Sequence, residues 1–120
     1  MDYSKPVNSL LNRFQKAGYK IVHVNDGEEQ HLISKDLSNL NARKQASEFI
    51  TSVDNSWVNL IKENQQVVLF IVLGNDPDEI VCDYTDNEEV ESIVEAFEDQ
   101  WVSHQTFNSL INLKNLIKVE

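Results

Sequence analysis

Val67-Val68-Leu69-Phe70-Ile71-Val72-Leu73 runs straight into Gly74-Asn75-Asp76-Pro77, and this join decides the fold. The apolar run reads as a strand and the residues after it as a turn. No polar side chain interrupts the run, which predicts a central strand covered on both faces, with Phe70 and Val72 deeply buried. Upstream, Ser56–Lys62 is an imperfectly alternating strand, and Glu63-Asn64-Gln65 joins it to Gln66–Leu73 as a hairpin. Downstream, Glu79–Tyr84 is a short further strand.

Farther out the apolar period changes to that of a helix. Val7, Leu10, Leu11 and Phe14 fall at i, i+3, i+4 and i+7, so a first helix buries that face. Ser4 suits its N-cap, Pro6 its first turn, and Gly18 the left-handed position past its end. Tyr19–Val24 and Glu29–Ser34 read as a hairpin around Asn25-Asp26-Gly27, because Asp-Gly tolerates the positive φ of tight turns. Asp36–Asn41 is polar linker. Ala46, Phe49, Ile50 and Val53 repeat the helical spacing, and Asp54-Asn55 stops this second helix. A third helix buries Val90, Ile93, Val94, Phe97 and Trp101, with Asp86 as its cap and Glu89 three residues on. Leu110, Ile111, Leu113, Leu116 and Ile117 mark a fourth within Phe107–Ile117.

The order α-ββ-α-βββ-α-α predicts an α+β fold, an antiparallel sheet of about five strands with helices packed on it. Residues 1–105 are read as a single domain and 106–120 as a C-terminal amphipathic helical tail. That tail could close over the sheet, or join two copies of the chain as a homodimer.

Charge is distributed unevenly. Residues 1–66 carry eight acidic and eight basic side chains, whereas residues 67–105 carry eleven acidic ones and no Lys or Arg. The net charge of −10 repels nucleic acid and anionic lipid, so direct binding to either is not expected. The longest apolar run is far short of the roughly 20 residues that cross a bilayer, and the opening residues lack a basic stretch followed by an apolar one. Cys82 stands alone, which excludes an intrachain disulfide. A cytoplasmic protein is the expectation.

Gly27-Glu28-Glu29, Ser52-Val53-Asp54 and Phe70-Ile71-Val72-Leu73-Gly74-Asn75-Asp76-Pro77-Asp78-Glu79-Ile80-Val81-Cys82-Asp83-Tyr84 carry a resemblance. The last segment is similar to the pattern F-I-V-L-G-N-x-P-x-E-I-V-x-D-Y of small uncharacterised acidic proteins from bacterial, plasmid and phage genomes. The resemblance covers residues 10–101, leaves out the tail, and implies an accessory or mobile-element role with no activity attached.

The chemistry-bearing residues exclude more than they assign. His23, His31, His104 and Cys82 are not at the two-to-four-residue spacings of a zinc site. Asp83-x-Thr85-x-Asn87 opens like a calcium loop, but Glu88 stands where the turn glycine belongs and Val94 where a bidentate Glu closes the loop. No glycine-rich phosphate loop or G-x-S-x-G elbow is present. Asp76, Asp78, Glu79 and Asp83 form a secondary acidic cluster that could serve a small metal-dependent enzyme or metal-binding module. No Lys, Arg or His falls between Lys62 and His104 to complete such a site. No catalytic residue, metal or cofactor is therefore assigned.

The third helix holds the remaining signal. At 100° per residue, Glu88, Glu91, Glu95, Glu98 and Asp99 fall within an arc of about 100° opposite Ile93 and Phe97. Like charges at i, i+3 and i, i+4 each cost a few tenths of a kcal/mol, so an uncompensated ridge suggests a use for its field. A solvated face is the plain account of these residues. The functional expectation is a non-enzymatic acidic binding protein, comparable to phage- or plasmid-type inhibitors and DNA mimics. Its helix face would occupy a basic site on a partner protein that itself binds nucleic acid.

Overall fold

The computed structural model describes residues 3–74, 76, 79–84 and 87–102. Its elements are α1 (Ser4–Lys16), β1 (Lys20–Asn25), β2 (Gln30–Leu32), α2 (Asn39–Ile50), β3 (Asn55–Lys62), β4 (Gln65–Leu73), β5 (Ile80–Tyr84) and α3 (Glu88–Trp101). The strands form one antiparallel sheet in the order β2-β1-β3-β4-β5. This is the α+β fold expected from the sequence, and the element order agrees through α3. The fourth helix and the tail at 106–120 lie outside the described residues.

Local chemistry accounts for most boundaries. Val7, Leu10, Leu11 and Phe14 of α1 are all buried, as their spacing predicts. Gly18 follows the C-cap Ala17 with φ of 101°, a left-handed conformation that a Cβ would strain. Tyr3, not Ser4, holds the N-cap position of α1, and no side chain caps that end. The supposed linker at 36–41 contains the start of α2, where the Ser38 hydroxyl accepts the Asn41 N–H at 3.2 Å. Its polar first turn hides the helical period, and the helix stops at Ile50, before Val53. β3 and β4 pair from Asn55↔Val72 to Lys62↔Gln65, so the hairpin loop is Glu63-Asn64, with Glu63 at φ of 56°.

One face of the sheet carries the core. Ile21, Val24, Val58, Leu60, Val67, Leu69, Ile71, Ile80 and Cys82 are buried together with the inner sides of α1, α2 and α3. The opposite face has no such cover among the described residues. This corrects the expectation for Phe70 and Val72, which are only half-buried, while Val68 beside them is 36% exposed. Strand geometry sends alternate side chains to opposite faces, and the three helices all lie against the Leu69 side. Phe70 instead packs on its cross-strand neighbour Trp57, ring centroids 4.7 Å apart.

Candidate anionic interaction surface

Asn87 starts α3, its Oδ1 accepting the backbone N–H groups of Glu89 at 2.9 Å and Val90 at 3.2 Å. Asp86, the cap expected from the sequence, lies outside the described residues. Glu88, Glu89 and Glu91 fill the first turn, where the helix dipole favours carboxylates. Farther along, Val90, Val94 and Phe97 are buried, and Ile93 and Trp101 pack partly against the core. Two contacts tie the far end of α3 to α1: Trp101 Nε1 donates to Ser9 Oγ at 2.8 Å, and Arg13 donates to Gln100 Oε1.

Of the five ridge residues expected from the sequence, Glu88, Glu91, Glu95 and Asp99 are exposed. Glu98 is not: only 4% of it is accessible. Burial along α3 is centred nearer Val94 than Ile93, and Glu98 lies only about 40° round the helix from Val94. An arc measured from Ile93 and Phe97 alone therefore places Glu98 too far from the core. The corrected ridge spans about 80° of arc and roughly 16 Å of helix length. None of its four carboxylates takes part in an ion pair among the described residues.

Two neighbouring tyrosines register the carboxylates of α3. Tyr84, on the inner side of β5, has its phenol pKa pushed up to about 12, first by burial and then by Glu91, Glu95, Glu98 and Cys82. Its position beside α3 was accessible from the alternation of Ile80, Cys82 and Tyr84, yet the sequence reading gave it no part. Glu89 turns away from the ridge to Lys62, whose Nζ lies 3.0 and 3.2 Å from its two oxygens. That ammonium, foremost, lowers the Glu89 pKa, and the Tyr19 hydroxyl adds to the effect. Tyr19 is buried beneath Lys62, which sits 5.3 Å from its ring centroid. Burial, then Glu89, raises the Tyr19 phenol to about 12, although its hydroxyl has no well-formed hydrogen bond.

The secondary acidic cluster does not assemble as one site. Asp83 pairs opposite Phe70 and faces the open side of the sheet, about 13 Å along the strand direction from Glu79. Asp76 and Glu79 instead sit at the β4–β5 turn, where the Asp76 carbonyl accepts the Glu79 N–H at 2.9 Å. The Tyr3 hydroxyl donates to the Gly74 carbonyl there, and its pKa is raised by burial and then by Asp76, Glu79 and Asp54. Asp78 lies outside the described residues. Among the described residues, no three His, Cys, Asp or Glu side chains converge as a metal-ligating group.

The remaining candidate ligands are dispersed. His23 Nδ1 lies 3.3 Å from Asn59 Nδ2, His31 stacks on Phe49, and Cys82 is buried. His104 lies outside the described residues. Among the described residues, no helix is long and apolar enough to cross a membrane. Comparison with protein families, curated proteins and solved structures finds no match to this chain.

Proposed function

We propose that the chain is a non-enzymatic binding protein whose α3 ridge, Glu88, Glu91, Glu95 and Asp99, occupies a basic site on a partner protein. The observation that supports this reading is four exposed carboxylates on one side of a helix with no ion-pairing partner among the described residues. Soluble surfaces ordinarily intersperse charges of both signs. Among the described residues, the one lysine that reaches α3, Lys62, is engaged by Glu89 off the ridge. Carboxylates held on a rigid helix would meet Arg and Lys side chains as a row of phosphates does, steering association and setting specificity by charge. The natural class of partner is a protein that handles nucleic acid, because its binding site already presents such a row of cations.

The test uses the full chain, immobilised and exposed to extract from its source cell. Retained proteins should elute by about 0.5 M salt, where the Debye length has shrunk to a few ångströms, and duplex DNA should displace them. Retention that survives about 1 M salt and ignores DNA would contradict the proposal.

A further inference from the structure

We infer that the open face of the sheet is the interface of a two-fold dimer, in which a second copy of this chain covers Trp57, Val68 and Phe70. β4 is apolar on both sides, yet the described helices cover only one of them. Val67, Leu69 and Ile71 lie under α1, α2 and α3, while Val68, Phe70 and Val72 look away from them. The outward strip continues across the sheet. Trp57 and Ile61 on β3 are half-buried, and Leu32 on β2 is 68% exposed. Leu32 belongs to this face because the next pair in the ladder, Val24↔His31, points to the helices, Val24 buried and His31 stacked on Phe49. A contiguous apolar strip of this kind marks a surface that another body covers.

Charge selects the occupant. The chain carries −10 overall, so most faces of two copies repel each other. Among the described residues, the five strands present two charges on the open face, Lys20 and Asp83, and these cancel. Neither takes part in an ion pair among the described residues. Their placement is self-complementary. Lys20 of β1 stands opposite Ile61, and Asp83 of β5 opposite Phe70, which itself stands opposite Trp57. The two charges are therefore three strand spacings apart across the sheet, about 14 Å, and four residues apart along it, about 13 Å. Their midpoint falls between the paired Asn59 and Val68, at the centre of the strip. A two-fold axis through that point, lying between two face-to-face sheets and perpendicular to the Lys20–Asp83 diagonal, exchanges its ends. Lys20 of each copy then lies over Asp83 of the other, and two ion pairs close. The diagonal runs at about 45° to the strands, so the strands of the two copies cross at about 90°, one of the two preferred ways in which sheets pack. The same rotation lays Val72 of one copy over the exposed Leu32 of the other. The face measures about 20 Å along β4 and about 24 Å across five strands, room for the low end of specific interfaces at about 600 Å² per copy. α3 lies in the opposite layer, so both acidic ridges stay free.

Sedimentation velocity of the full chain over a range of concentrations tests the inference. At about 100 μM the chain should sediment at twice its mass of 13.8 kDa. Val68 is 36% exposed, so Val68→Arg should keep the circular dichroism of the parent while sedimenting as a monomer. Lys20→Asp and Asp83→Lys each set like charges against each other at two places, and each should weaken the dimer at least about tenfold. The chain carrying both substitutions should recover to within about threefold of the parent, because both ion pairs re-form with their ends exchanged. A parent monomeric at about 100 μM, or a dimer that survives Val68→Arg, would overturn the inference. Single charge variants as tight as the parent, or a doubly substituted chain no tighter than the single ones, would overturn it too.

Discussion

Glu95→Lys should stabilise the protein and Glu98→Lys should damage it, although the two positions are three residues apart on one helix. Glu95 is exposed and lies one helical turn from Glu91 on one side and Asp99 on the other. Each like-charged pair costs about 0.2–0.5 kcal/mol and each opposite pair gains a similar amount, so reversing two pairs contributes about 1 kcal/mol after solvent screening. Unfolding a domain of this length releases roughly 0.25 kcal/mol per kelvin of entropy-weighted free energy, so Tm should rise by about 4 °C. Glu98 is 4% exposed and lies close enough to Tyr84 of β5 to act on its phenol. A lysine there buries a cation in a space shaped for another side chain, costing about 3 kcal/mol or more and lowering Tm by about 12 °C. Thermal unfolding followed by circular dichroism at neutral pH and low salt reads both shifts, and the Glu95→Lys gain should shrink in about 1 M salt. Shifts of the same sign and size would refute the placement of Glu98 in the core and Glu95 on the surface.

Gly74→Ala should destabilise the β4–β5 turn by about 1–3 kcal/mol in urea unfolding, because its Cβ would meet the Glu79 carbonyl oxygen and Cβ at 2.6 Å; an unchanged midpoint would refute that close approach. Tyr19 and Tyr84 ionise at about 12 when folded against 10.0 when free, so the folded chain keeps protons that the unfolded chain releases. Their contribution to stability is whole below pH 10 and is lost as the pH climbs through about 12; tyrosinate absorbance from more than one of the three tyrosines near pH 10 in the folded protein would contradict this. Cys82 is buried, so a thiol reagent at neutral pH should label it only on unfolding.

The elements with strong periodicity were the legible ones. α1 and α3 declare themselves through apolar residues at i, i+3, i+4 and i+7, and the β3–β4 hairpin through two apolar runs bracketing a short polar turn. α2 was legible in its second half only, because Asn39-Leu40-Asn41 presents no buried residue and the Ser38 cap is a local hydrogen bond. The seven-residue run of β4 carries no alternation, so nothing in it tells a strand covered on both faces from one covered on the Leu69 side. Which side holds helices is a property of the whole topology. Glu98 failed for a subtler reason. Helical spacing locates a residue to within tens of degrees, and a carboxylate on the flank of the buried stripe is decided by how α3 tilts against β5.

The central functional claim rests on charge at four positions, and parallel capture with a ridge-reversed chain tests it most directly. Full-length protein and a variant carrying Glu88→Lys, Glu91→Lys, Glu95→Lys and Asp99→Lys would be immobilised at equal density and exposed to the same cell extract. All four positions are exposed, so the variant should fold, which circular dichroism verifies beforehand. The account predicts that proteins held by the parent and displaced by duplex DNA are lost from the variant. The same proteins retained by both chains in equal amount would contradict it and leave the ridge as a solvated face.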